Sequence, residues 1–189
     1  MILEGCSTEP PDDPCPWLWE TAQAILDAAY DGAEAVVGPP GSGCVDPLDS
    51  YVSLSRPVAE HYDAVSVYLA SLDMTPDSRR AKAELSGCGD RLHPRWSAAW
   101  VVSVWLNGYP VAREVEGRLT VPTPEALGLA NQWVYAVGHA AYQEVSRRQV
   151  TGELEVPDAI DRVTLGPLTP LGPLGGAAGW SFQVVSETR

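Results

Sequence analysis

Apolar residues recur at helical spacing from Trp17 to Val37, where Leu18, Ala22, Ile25, Leu26, Ala29, Tyr30, Ala33, Val36 and Val37 share one side of a helical wheel. Gly38-Pro39-Pro40-Gly41 breaks the pattern, so the spacing predicts a first helix that stops there. After a turn-rich stretch the period shortens to two. Tyr51-Val52-Ser53-Leu54-Ser55 alternates as a half-buried strand does, and Pro57 ends it. Asp63 to Leu72 alternates again, with Val65, Val67 and Leu69 on one face and Ala64, Ser66 and Tyr68 on the other. The two runs predict a hairpin turning through Val58-Ala59-Glu60-His61. Residues 73 to 93 are polar and irregular, a loop with a short helical stretch possible at 79 to 85.

The third strand, Arg95 to Asn107, is apolar on both sides. Trp96, Ala98, Trp100, Val102, Val104 and Leu106 form one face, and Ala99, Val101 and Trp105 lie on the other. Such a strand belongs at the centre of a sheet, covered twice or lodged against a neighbouring subunit. Asn107-Gly108-Tyr109-Pro110 marks a turn, and Val111 to Val121 reads as a short extension with alternating charges. A second helix follows, with Thr123 as N-cap, Pro124 at its first position and Glu125 beside the positive end of the helix dipole. Its stripe is Leu127, Ala130, Trp133, Val134, Val137, Ala141 and Val145, and Arg147-Arg148 suit its C-terminal end.

An acidic linker, Thr151 to Asp158, leads to two closing strands at Ile160 to Leu165 and Trp180 to Glu187. Between them Leu165, Leu168, Leu171 and Leu174 recur every three residues among Pro167, Pro170 and Pro173. The prolines predict an extended course outside the sheet, with the leucines on a similar side and free to dock on another subunit. The order of elements indicates an α+β fold, an antiparallel-rich sheet with two main helices packed on one face. Residues 1–16, acidic and rich in proline, read as an extended arm, and 17–189 as a single domain.

Composition narrows the chemistry. The formal charge is −13, from 25 acidic against 12 basic residues, and no basic cluster exceeds a pair, which argues against tight binding to a phosphate backbone. No apolar run reaches the roughly 18 to 20 residues of a membrane span, and no secretory signal opens the chain, so the expected location is the cytoplasm. Cys6, Cys15, Cys44 and Cys88 form no C-x-x-C pair, the nearest approach to a metal pattern being Cys88 with His93. Gly38 to Cys44 lacks the lysine and the strand-loop-helix setting of a phosphate loop. His61, His93 and His139 have no nucleophile or orienting group at a telling spacing, and Glu114 and Glu116 sit in a polar stretch. Neither cofactor, metal nor catalytic residue is expected. Seven tryptophans suit a large core or an association surface equally.

Over residues 17 to 188 the chain resembles the tail terminator proteins of long-tailed bacteriophages, small α+β virion proteins that cap the tail tube. The resemblance lies in the element order, in the strand SAAWVVSVWLNGYP before the helix PTPEALGLANQWVYAVGHAAYQEV, and in the closing GGAAGWSFQVVSET. It implies a hexameric ring at the virion neck, assembled in the host cytoplasm. The tail tube protein would contact one face and the head-tail connector or stopper protein the other, while DNA passes through without specific binding. Trp105 and the four leucines are then candidate interface residues. Another head-to-tail connector or minor tail protein would share this design, whereas a small host ligand-binding domain or enzyme would need a pocket.

Overall fold

The computed structural model describes residues 16–37, 49–53, 64–75, 95–174 and 176–188. Helix α1 (Pro16–Val37) forms where the apolar period predicts it, and Ala22, Ile25, Leu26, Ala29, Ala33 and Val37 are buried along one side. Thr21 is buried in the same helix, and its hydroxyl donates to the Trp17 carbonyl at 2.6 Å, which removes the cost of an unpaired polar group.

Strands β1 (Asp49–Ser53), β2 (Ala64–Thr75), β3 (Arg95–Asn107), β6 (Ile160–Leu165), β7 (Thr169–Leu174) and β8 (Ala177–Thr188) make one sheet. Its order is β1-β2-β3-β8-β6, with β7 also paired to β8. Between β3 and β6 come the short strands β4 (Arg113–Val115) and β5 (Arg118–Thr120) and helix α2 (Pro124–Thr151). As the two-sided apolar pattern requires, β3 is central, antiparallel to β2 on one side and to β8 on the other. Both helices cover the same face. Ile25 of α1, Val137 and Val145 of α2, Val65, Val67, Trp100, Val102, Val104, Phe182 and Val184 belong to one continuous core. On the opposite face Ala99 and Ser103 are buried, while Val101 and Trp105 are half-buried.

Two expectations are corrected. The β1 and β2 runs do not form a hairpin: they pair in parallel, with Asp49 opposite Ala64 and Val52 opposite Val67. Alternation assigns side chains to faces but says nothing of strand direction, and the intervening sequence has no glycine-bearing turn to enforce reversal. Residues 58–61, the expected turn, lie outside the described residues, as do 1–15 and the possible helix at 79–85. The proline-broken segment, expected outside the sheet, instead contributes β7. Among the described residues it pairs with β8 alone, Pro170 standing opposite Trp180. An edge strand tolerates proline because its outward N–H has no ladder partner to lose. β6 and β7 thus lie end to end along β8, and the Gly166 N–H donates to the Gln183 carbonyl at 2.8 Å across the break.

Helix α2 runs three residues past Arg148 and ends at Gly152, whose φ of 76° gives the left-handed cap. The Glu153 and Leu154 N–H groups then donate to the Arg148 carbonyl, at 2.8 and 3.0 Å. Close packing fixes this helix at two glycines. A Cβ on Gly32 of α1 would stand 2.5 Å from the Ala140 carbonyl oxygen, and one on Gly138 would stand 2.7 Å from Cβ of Trp180.

Candidate interaction surface

The stretch from Val111 to Val121, expected as a charged extension, folds into the hairpin β4–β5. Glu116 and Gly117 have φ of 52° and 74°, positive at both central positions as a type I′ turn requires. Arg113 pairs with Thr120, Glu114 with Leu119 and Val115 with Arg118. All six strand residues are exposed, Leu119 at 71% and Val115 at 55%, and Val121 just beyond is exposed as well. A two-stranded unit with its apolar residues in water is marginal by itself. Its base is held firmly: the Tyr109 N–H donates to the Gly176 carbonyl at 2.8 Å, and the Tyr109 hydroxyl donates to Oδ1 of Asn131 at 2.9 Å.

The first turns of α2 carry exposed apolar residues as well. Thr123 caps them as predicted, its hydroxyl accepting from the Ala126 N–H at 3.2 Å. Of the predicted stripe, Val134, Val137, Ala141 and Val145 are buried, whereas Leu127 and Ala130 are only partly so and Trp133 is exposed. Leu129, four residues before Trp133 and therefore on the same side of the helix, is 63% exposed. The helix outruns the sheet that covers its C-terminal half.

Beside the hairpin base, a groove of about 430 Å³ opens between α2 and β7. Tyr109, Val134, Tyr135, Leu171, Ala178 and Trp180 line it, with Asn131 and Gln132 as polar members, and none of the described residues lining it is charged. Tyr135 meets Trp180 edge-on at 5.4 Å and stacks on His139 at 5.1 Å, which gives the wall a fixed aromatic surface.

The five residues singled out from sequence do not form one patch. Leu165 lies on β6 opposite Val184, and both Leu165 and Leu168 pack against the core. Leu171 lines the groove, and Leu174, at the end of β7, is 52% exposed. Trp105 is half-buried on the face away from the helices, opposite Ala64 and Gly179. Exposed apolar side chains that the sequence did not single out include Val115, Leu119, Val121 and Leu129 here, and Trp19, Met74 and Val150 elsewhere.

A strongly perturbed carboxyl group lies elsewhere. Hydrogen bonds from Arg147 and then Arg148 hold the Glu144 carboxyl at about 2, well below its ordinary value. The Arg147 Nη2 and Arg148 Nε stand 2.7 and 2.8 Å from Glu144 Oε1, while Arg147 also pairs with Glu153 and Arg148 with Asp31 of α1. A shifted carboxylate in a cleft can mark a reactive site. Here the shift comes from ion pairs within α2, one member of which, Arg148, also braces the helix to Asp31 of α1. Glu114 and Glu116 stand exposed on the hairpin, and His139 is engaged with Tyr135. His61, His93 and the four cysteines fall outside the described residues. Among the described residues no group of three His, Cys, Asp or Glu side chains is placed to hold a metal, and no helix is long and apolar enough to cross a membrane.

Compared with known proteins, the chain matches no family model and no curated sequence.

Proposed function

We propose that this chain is a structural subunit that self-associates into a ring at the neck of a bacteriophage virion, a tail terminator that caps the tail tube and joins it to the head-tail connector. The observation that carries this reading is the run of exposed apolar side chains from Val115 to Trp133. Within nineteen consecutive residues the hairpin exposes Leu119 on one face and Val115 on the other, Val121 follows just beyond it, and α2 exposes Leu129 and Trp133. Exposed apolar clusters of this kind mark association surfaces. The role, the hexameric number and the two axial partners come from the resemblance in element order and in the segments around β3, α2 and β8. The net charge of −13 is consistent with a channel wall that repels passing DNA instead of holding it.

Two images test the proposal. Negative-stain microscopy of the purified protein is expected to show closed rings, and gold-labelled antibody on intact virions is expected to mark the neck. Labelling of the capsid shell or of the distal tail tip would refute the terminator role. Labelling at the neck on the connector side of the joint would favour another head-to-tail component.

A further inference from the structure

We infer that the β4–β5 hairpin of one copy seats in the α2–β7 groove of the next copy. This deepens the self-association proposed above and rests on it. The two surfaces fit in kind. The hairpin offers Leu119 on the face it shares with Glu114, with Val115 on the other face beside Arg118, both in water on a two-stranded unit that gains stability when something covers it. The groove is the size of a pocket that takes a few aliphatic side chains, and Tyr135, Leu171 and Trp180 give it an apolar wall. The hairpin does not fill the groove of its own copy, since all six of its strand residues are exposed and none of them lines it.

Charge selects this pairing. Copies with a net charge of −13 repel one another, so association needs surfaces that escape the repulsion. The hairpin balances Arg113 and Arg118 against Glu114 and Glu116, and the groove lining is uncharged. Side chains, not backbone, must make the contact. Pro170 and Pro173 remove N–H donors from the β7 edge, which spoils it for addition of a further strand. Because hairpin and groove are different patches, the contact is head-to-tail, the geometry that closes into a ring or continues as a filament.

Two variants disable one side each. Leu119→Asp charges the hairpin tip. Gly172→Trp fills the groove, and a side chain begins there in open space, with nothing within 4 Å of its Cβ. In sedimentation velocity each variant alone should self-associate at least tenfold more weakly than the wild type, while its thermal midpoint matches that of wild type diluted to the monomer. Should Leu119→Asp lower that midpoint, Leu119→Ser takes its place. An equimolar mixture retains one intact hairpin and one open groove per pair. It should form a 1:1 dimer of twice the 20.2 kDa chain mass and nothing larger. If the wild type assembles and the variants assemble equally well, or the mixture yields no 1:1 dimer, the hairpin-in-groove contact is wrong while the ring proposal stands. A wild type that remains monomeric at every concentration overturns both.

Discussion

Helix α2 carries two glycines, ten residues apart, that are chemically identical and sterically opposite. At Gly128 an added Cβ meets nothing within 4 Å, whereas at Gly138 it would lie 2.7 Å from Cβ and 2.9 Å from Cγ of Trp180. Alanine at either site removes the same backbone-entropy penalty, about 0.5 to 1 kcal/mol. Gly128→Ala should show that gain undiluted, as a rise in thermal midpoint of roughly 2 to 3 °C for a chain of this size. At Gly138 the obstructing atoms are rooted in the β8 backbone and cannot swing aside, so helix or strand must shift. Forcing one methyl group into such a contact costs about 1 to 3 kcal/mol. The net effect of Gly138→Ala is then a loss of about 0.5 to 2 kcal/mol, a fall of several degrees. Thermal and denaturant unfolding of both variants supply the comparison, because subtracting one from the other cancels propensity and leaves packing. Equal rises in the two midpoints would refute the close approach of α2 to Trp180.

The ion cluster gives a pH-dependent prediction. The Glu144 pKa is depressed to about 2 from an ordinary 4.5, so its contribution is complete above 4.5 and lost as pH falls towards 2. Glu144→Gln should cost about 1 to 2 kcal/mol at pH 7, screened as it is by the half-exposed Arg147, and the difference from wild type should vanish near pH 2; a difference constant from pH 7 to 2 would contradict the pairing. Thr123→Ala removes the α2 cap and should cost about 1 kcal/mol, felt locally because no side chain of the helix before Val134 is fully buried. Amide exchange at residues 126 to 129 should quicken roughly fivefold while residues 137 to 145 stay protected, and uniform exchange would show the cap acting on the whole fold. The buried Trp100 Nε1–H donates to Ser186 Oγ at 3.0 Å, so Ser186→Ala should cost about 1 to 3 kcal/mol by stranding the indole N–H. In a double-mutant cycle with Trp100→Phe the two losses should fall short of additive, and strict additivity would deny the bond.

Much of the fold was legible because its signals are local. The α1 stripe, the two-faced β3 and the Thr123-Pro124 start of α2 each depend on a repeat or a cap read within a few residues. What alternation could not convey was direction. Val65 and Val67 face the core whether β1 runs parallel or antiparallel, so the sequence of β2 is silent on the choice. The proline segment was misjudged for a related reason. Pro170 excludes a position between two strands, but an edge presents one unpaired side, and no residue in the segment announces that it is the edge.

The interaction surface was harder to read because the features that make it a surface resemble those of a loop. Hairpin β4–β5 turns on Glu116-Gly117, a pair without the Asn or Asp that normally flags two positive φ values, and its strands are three residues each, too short for a periodic signal. Leu127, Ala130 and Trp133 carry the same helical spacing as Val134, Val137 and Ala141, yet only the second group meets the sheet. Periodicity states which side of a helix is apolar; the length of the covering sheet decides how much of that side is used. The apolar stripe of α2 thus runs past its buried part, and the exposed hairpin precedes it in sequence; neither feature follows from the period alone, because both depend on what the sheet leaves uncovered among the described residues.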